Sequence, residues 1–309
     1  MNNKAFFKYL FALLLFGSNG IVASFIELSS LQIVLLRTFI GSILLVALFF
    51  ITGGKLTLYK HKKQSVFLTV SGIAMGASWM FLYEAYARIG VSIASLLYYC
   101  GPVIVMALSP LLFKEKITAN KVIGFLAVVI GVILINGNVF DGKGDLFGII
   151  CGLLSVVMYA FMVICNKKAK KITGLENSTL QLAIAFLTVA LFVGLKQGYT
   201  MEITPASILP IFILGLLNTG VGCYLYFSSI GKLKVQTVAI CGYLEPLSAV
   251  IFSVIFLKET MLTFQILGAV FIIGGAMFAE LSKSIAYHSD SYQSAKSSLN
   301  ATAREAPKR

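Results

Sequence analysis

Ionisable side chains are scarce in this sequence. Asp, Glu, Lys and Arg make up 12% of the 309 residues, whereas 58% are hydrophobic. A soluble domain carries about 25% charged residues. There is too little polar surface here to cover a water-soluble globule, so the chain reads as an integral membrane protein. Histidine is nearly absent: His61 and His288 both lie outside the long apolar runs. No aspartates cluster. A membrane-embedded enzyme would need a convergent catalytic or metal-binding set, and none is visible, so no catalysis, metal or cofactor is expected. No Gly-rich phosphate loop occurs either, which leaves direct ATP drive unsupported. The five cysteines, Cys100, Cys151, Cys165, Cys223 and Cys241, are odd in number and scattered in or beside apolar runs. That is no disulfide framework; they read as small hydrophobes in helix packing.

What is abundant is apolar sequence in long runs. A spanning helix needs about 20 mostly apolar residues. Ten candidates fit, at approximately 6–26, 31–52, 66–87, 91–113, 118–136, 145–165, 178–197, 206–229, 234–257 and 261–280. The fold class is therefore an all-α polytopic membrane protein with short connections. The first run reads as a span rather than a removable signal, because its loss would leave nine and break the repeat described below. From Leu281 the chain turns Ser-, Lys- and Ala-rich and reads as a disordered tail.

With the N-terminus placed inside, 19 of the 25 Lys and Arg residues fall in inner loops and the tail, and only Arg88, Lys143, Lys196 and Lys258 fall outside. This bias predicts both termini in the cytoplasm of a cell membrane. It also accounts for the net charge of +13. A nucleic-acid partner is disfavoured, since the basic residues are spread over thin loops with no aromatic-laced basic domain.

The strongest pattern is an internal repeat at a shift of 144 residues. Tyr99 falls on Tyr243, Pro102 on Pro246, Ser109 on Ser253, Lys114-Glu115 on Lys258-Glu259, Gly124 on Gly268 and Gly131 on Gly275. Each half, 1–137 and 138–280, then holds five spans, with 281–309 as the tail. Five is odd, so the second half must enter the membrane upside down. Inverted repeats of this kind mark secondary transporters, with the substrate site near the midplane between halves. Two related, inverted packings can exchange to give alternating access.

Each half resembles one EamA domain of the drug/metabolite transporter superfamily. The resemblance rests on several short signals in duplicated order. A Lys-Glu pair ends the fourth span of each half, and a glycine follows nine residues beyond the Glu (Gly124, Gly268). The fifth spans end in GVILIN (Gly131 to Asn136) and GGAMFA (Gly274 to Ala279). The first half opens with FGSNG (Phe16 to Gly20) and carries Arg37 in LLRTF; the second opens GDLFGIICGLLSVVMYA (Gly144 to Ala160). The resemblance covers about residues 6–280. It implies a permease of small metabolites, amino acids or drugs, often working outward, with lipid and a small-molecule substrate as partners; protons are a candidate coupling ion through Glu245, described below. No oligomeric state is implied. One departure is that the seventh span reads STLQLAIAFL around Gln181, with no counterpart of Arg37.

Polar residues at membrane depth are the candidate site. Glu245 is placed near the middle of the ninth span, where a charge costs about 2.5–3.5 kcal/mol to insert and so faces protein or a water-filled cavity. It reads either as a coupling or substrate-amine group or as a carboxylate serving backbone freed by Pro246. Pro102 and Pro246 are expected to kink their helices, as hinges or as static shaping. Arg37 reads as a carboxylate clamp, as the partner of Glu84 in an ion pair, or as a snorkelling side chain. Trp79, Tyr83, Tyr99, Tyr159 and Tyr243 can line a cavity or pack. Asn19 and Asn218 are helix–helix glue or ligand contacts. Glu115 and Glu259, beside lysines at span ends, read as interfacial anchors.

Overall fold

The computed structural model describes residues 3–98, 100–101, 104–105, 119–135, 145–169, 171–172, 174–230, 241, 244–275 and 277–278. Tyr99, Pro102, Glu115, Tyr243 and the tail lie outside these residues. Within them the helices are α1 (Asn3–Gly17), α2 (Asn19–Ser24), α3 (Ser30–Ile51), α4 (Lys62–Ile89), α5 (Val91–Tyr98), α6 (Ala119–Ile135), α7 (Leu146–Lys168) and α8 (Gly174–Lys196). They continue with α9 (Pro205–Phe212), a π-helical stretch (Ile213–Val221), α10 (Gly222–Ile230), α11 (Leu244–Phe256) and α12 (Thr263–Gly275). Helix falls within all ten expected spans. Among the described residues, six stretches are long and apolar enough to cross a membrane and three shorter helices are apolar. The helices α4 and α8 begin four residues before their expected spans. Their polar first turns are helical without being apolar.

Local chemistry sets the helix ends. The start of α3 is fixed by a capping box: the Ser29 hydroxyl accepts from Gln32 N–H, and the Gln32 amide oxygen accepts from Ser29 N–H. The Asp145 carboxylate accepts from Gly148 N–H at 2.8 Å and starts α7. Between α4 and α5 the chain turns at Gly90, whose φ of +82° disfavours any side chain. The turn is held from the other half of the molecule. The Glu259 carboxylate accepts from Val91 N–H (2.8 Å), Ser92 N–H (3.0 Å) and the Ser92 hydroxyl (2.6 Å). Glu259 is therefore not an interfacial anchor. It caps the N-terminus of α5, where orphan N–H groups and the helix dipole favour an anion.

The surface is apolar and the interior holds small polar residues. Leu195 is 81% exposed and Ile51 80%, while Ser71, Ser78 and Thr219 are fully buried. The buried hydroxyls bind backbone across helix contacts: Ser71 donates to the Met162 carbonyl and Ser78 to the Ser155 carbonyl, both at 2.8 Å, tying α4 to α7.

The repeat is visible in the packing. A Cβ added at Gly131 would lie 2.6 Å from the Gly268 carbonyl oxygen, and one added at Gly275 would lie 2.9 Å from that of Gly124. A shift of 144 residues exchanges these two contacts. The helices α6 and α12 thus run antiparallel where they meet, as an inverted repeat requires. The same holds for α3 and α8, where Ser42 donates to the Leu182 carbonyl and Thr179 to that of Leu45. Replacing Gly131 with Leu is expected to lower the melting temperature in detergent, by an overpacking cost of about 1–3 kcal/mol. Ile133→Leu, on the exposed face of the same helix, serves as the control and should melt like the parent.

Candidate functional site

A cavity of about 390 Å³ lies between the halves. From α4 it receives Met75, Trp79, Leu82, Tyr83 and Tyr86, a single stripe at helical spacing. Tyr159, Met162, Val163 and Asn166 form the facing stripe of α7; Ser178, Gln181 and Leu182 come from the first turns of α8. The remaining wall is built by Arg37, by Phe16, Gly17 and Asn19 around the α1–α2 junction, by Ser95 and Tyr98 of α5, by Cys223 and Tyr226 of α10, and by Glu245 and Ala249 of α11.

Arg37 is 3% exposed. Its Nε donates to the Thr219 hydroxyl at 3.1 Å and its Nη1 to the Tyr83 hydroxyl. The guanidinium carbon sits 4.4 Å from the Trp79 ring centroid and 5.0 Å from that of Tyr83. Thr219 belongs to the π-helical stretch, and its hydroxyl donates to the Leu214 carbonyl five residues back at 2.8 Å. Arg37 neither snorkels nor pairs with Glu84. Successive residues on a helix point about 100° apart, so Tyr83 faces the cavity while Glu84 faces away. Glu84 is engaged instead by Arg88, one turn on, at 2.8 Å, and by the Ser30 hydroxyl. Among the described residues Arg37 is in no ion pair with a carboxylate.

The cavity wall also carries hydrogen-bond acceptors. The side-chain oxygen of Asn19 is buried without a hydrogen-bond partner among the described residues. Nearby, Glu245 lies half-buried in the first turn of α11, beside the buried Pro246. The α1 helix comes close here because Gly17 has no side chain: a Cβ would sit 2.8 Å from the Glu245 carbonyl oxygen. That carbonyl accepts from the Ser248 hydroxyl at 2.8 Å.

Six of the nine candidates, Arg37, Asn19, Trp79, Tyr83, Tyr159 and Glu245, meet on this one wall. Asn218 is placed elsewhere. It is 1% exposed, and its amide donates to the Leu15 carbonyl and the Ser18 hydroxyl, both at 2.9 Å, joining the π-helical stretch to α1. Sequence reasoning missed Tyr86, Tyr226, Asn166 and the presence of Gln181 on the wall. The repeat held the signal. Arg37 and Gln181 are 144 residues apart, as are Trp79 and Cys223, Leu82 and Tyr226, and Asn19 and Val163, and all eight line the cavity. The cavity therefore straddles the axis relating the halves. Gly101, the repeat partner of Glu245, has the ring of Tyr159 where its Cβ would project.

Comparison with known proteins agrees with this architecture. An uncharacterized transporter, YxxF, of Bacillus subtilis is 24% identical over 279 residues, covering 88% of each chain. YetK of the same organism, also named an uncharacterized transporter, is 27% identical and covers 80% of this chain and 77% of its own. A protein of solved crystal structure superposes with a TM-score of 0.64 at 17% identity over 90% of this chain and 98% of that one, a likeness of fold. The model of the EamA-like transporter family matches twice, at residues 3–137 and 146–280. With both halves matched, the chain belongs to the EamA-like transporter family.

Proposed function

We propose that this membrane transporter is a secondary-active permease for small zwitterionic metabolites, amino acids or related amphipathic compounds, and that it works outward with protons as the coupling ion. The observation that carries the reading is the polarity of one cavity. Its wall brings together a buried guanidinium, a carboxylate, an unpartnered amide oxygen and several aromatic rings. A carboxylate on the ligand suits the donor fork of Arg37. An ammonium suits Asn19, Glu245 and the tyrosine faces. The volume falls in the range of small-molecule sites. Alternating access follows from exchange between the two inverted packings. The distribution of Lys and Arg supports a topology with both termini in the cytoplasm.

The test is a thermal-shift screen on purified protein followed by counterflow in vesicles. Amino acids and their amphipathic analogues should raise the melting temperature by binding linkage. Their amide and N-acetyl derivatives, each lacking one charge, should raise it less. Stabilisation by neutral or dicarboxylic compounds alone would overturn the zwitterion reading. Binding without any flux would leave a sensor rather than a carrier.

A further inference from the structure

The two ends of the cavity differ. Towards the end that bears Lys62 and Lys168, the wall reaches Asn166 in the last turn of α7 and Ser178 in the second turn of α8. Towards the other end a continuous apolar core fills the bundle; Val34, Ala85, Ala94, Cys151 and Val193, from five helices, are each at most 2% exposed. Above that core lies a polar network. Arg88 pairs with Glu84 at 2.8 Å and with Asp145 at 3.2 Å, its guanidinium covers the Phe147 ring at 4.6 Å, and the Ser30 hydroxyl donates to Glu84. The starts of α3 and α7 are thereby fastened to the end of α4.

An exact inverted repeat would make its two access states equal in energy. Any preference must come from residues that the repeat does not duplicate. Shifted by 144 residues, Glu84, Arg88 and Asp145 fall on Ser228, Lys232 and Met1. No carboxylate stands at the related positions.

We propose that the Ser30–Glu84–Arg88–Asp145 network is a one-sided latch that makes the state accessible from the Lys62 end the resting state of the carrier. This rests on the transporter reading. The pairs are partly exposed, so each contributes modestly. They act on a balance that symmetry has already brought close to even, where a small difference decides the populations.

Cys223, on the cavity wall, serves as a native reporter. Sealed vesicles of both orientations are treated with a membrane-impermeant thiosulfonate, and modification of Cys223 is followed by mass spectrometry. Labelling of a Lys62→Cys variant identifies the side. In the parent protein, Cys223 should react much faster from the Lys62 side. Arg88→Gln should raise the rate from the opposite side about five-fold. Asp145→Asn, which keeps the cap on Gly148 and removes only the charge, should do the same to a smaller extent and covers the case in which the first variant does not fold. Equal rates from both sides in the parent, or unchanged sidedness in the folded variants, would overturn the latch. Counterflow separates the two readings. Flux with unchanged sidedness rejects the latch and keeps the carrier; shifted sidedness with no flux for any solute keeps the latch and rejects the carrier.

Discussion

Vesicles carrying Arg37→Gln are expected to move a zwitterionic substrate about 10- to 100-fold more slowly than the parent. A hydrogen bond to a charged group contributes about 1.5–3 kcal/mol, and the substrate carboxylate would lose the centre of its donor fork. Part of the effect is structural, because Arg37 also holds Tyr83 and Thr219. Arg37→Lys separates the parts. It keeps the charge but cannot stack on Trp79, bind Thr219 and present a fork together, so its loss should be intermediate, about tenfold. Melting curves report the structural share. If folded Arg37→Gln protein carries substrate at the parent's rate, the clamp role is gone and Arg37 is a packing residue alone.

The second large effect is expected at Glu245. Glu245→Gln keeps the shape of the side chain and fixes it in the neutral form. The variant should fold and bind substrate more weakly, while uptake driven by an imposed pH step should fall towards background and substrate exchange should survive. Among the described residues, the other ionisable groups on the wall are Arg37, Cys223 and the tyrosines at 83, 86, 98, 159 and 226. Phenols, thiols and guanidinium groups ordinarily release their protons above neutrality, whereas a carboxyl takes one up on acidification. Parent-level pH-driven uptake in the Gln variant would remove Glu245 from coupling and leave it as a ligand contact.

Outside the membrane one carboxyl has a definite sign. The Gly148 N–H holds Asp145 below the usual carboxylate range, and Arg88 adds to this. A depressed folded value means that its contribution is present above the ordinary carboxylate range and is lost as pH falls through the lowered value. The ion pair with Arg88 therefore persists into mild acid.

Much of the architecture was legible in the sequence because bilayers impose a length and a polarity on every span. The repeat was legible because it was inherited intact at glycines such as Gly124 and Gly131, where helices touch backbone to backbone. What escaped were partnerships made across the fold. Glu259 stands beside a lysine at a span end, which locally suggests an interface; its real partners lie 168 and 167 residues away at Val91 and Ser92. Arg37 and Glu84 looked like the natural pair in a sparse set of charges, yet one residue of helical rotation aims Glu84 away and gives Arg37 an aromatic cradle instead. Tyr226 carries no local signal; only its place 144 residues after Leu82 links it to the cavity wall.

The ring of Tyr159, pressed against the backbone of Gly101, would also limit the stoichiometry of the proposed proton coupling. It occupies the place where the duplicated scaffold would otherwise offer a second carboxylate, so Glu245 has no twin across the axis. With one carboxylate among the described residues of the wall, the proposed coupling would exchange at most one proton per turnover at this position. If that proton were exchanged for a net-neutral zwitterion, one charge would cross per turnover, so the membrane potential would drive transport together with the pH difference, each unit of which is worth about 1.4 kcal/mol.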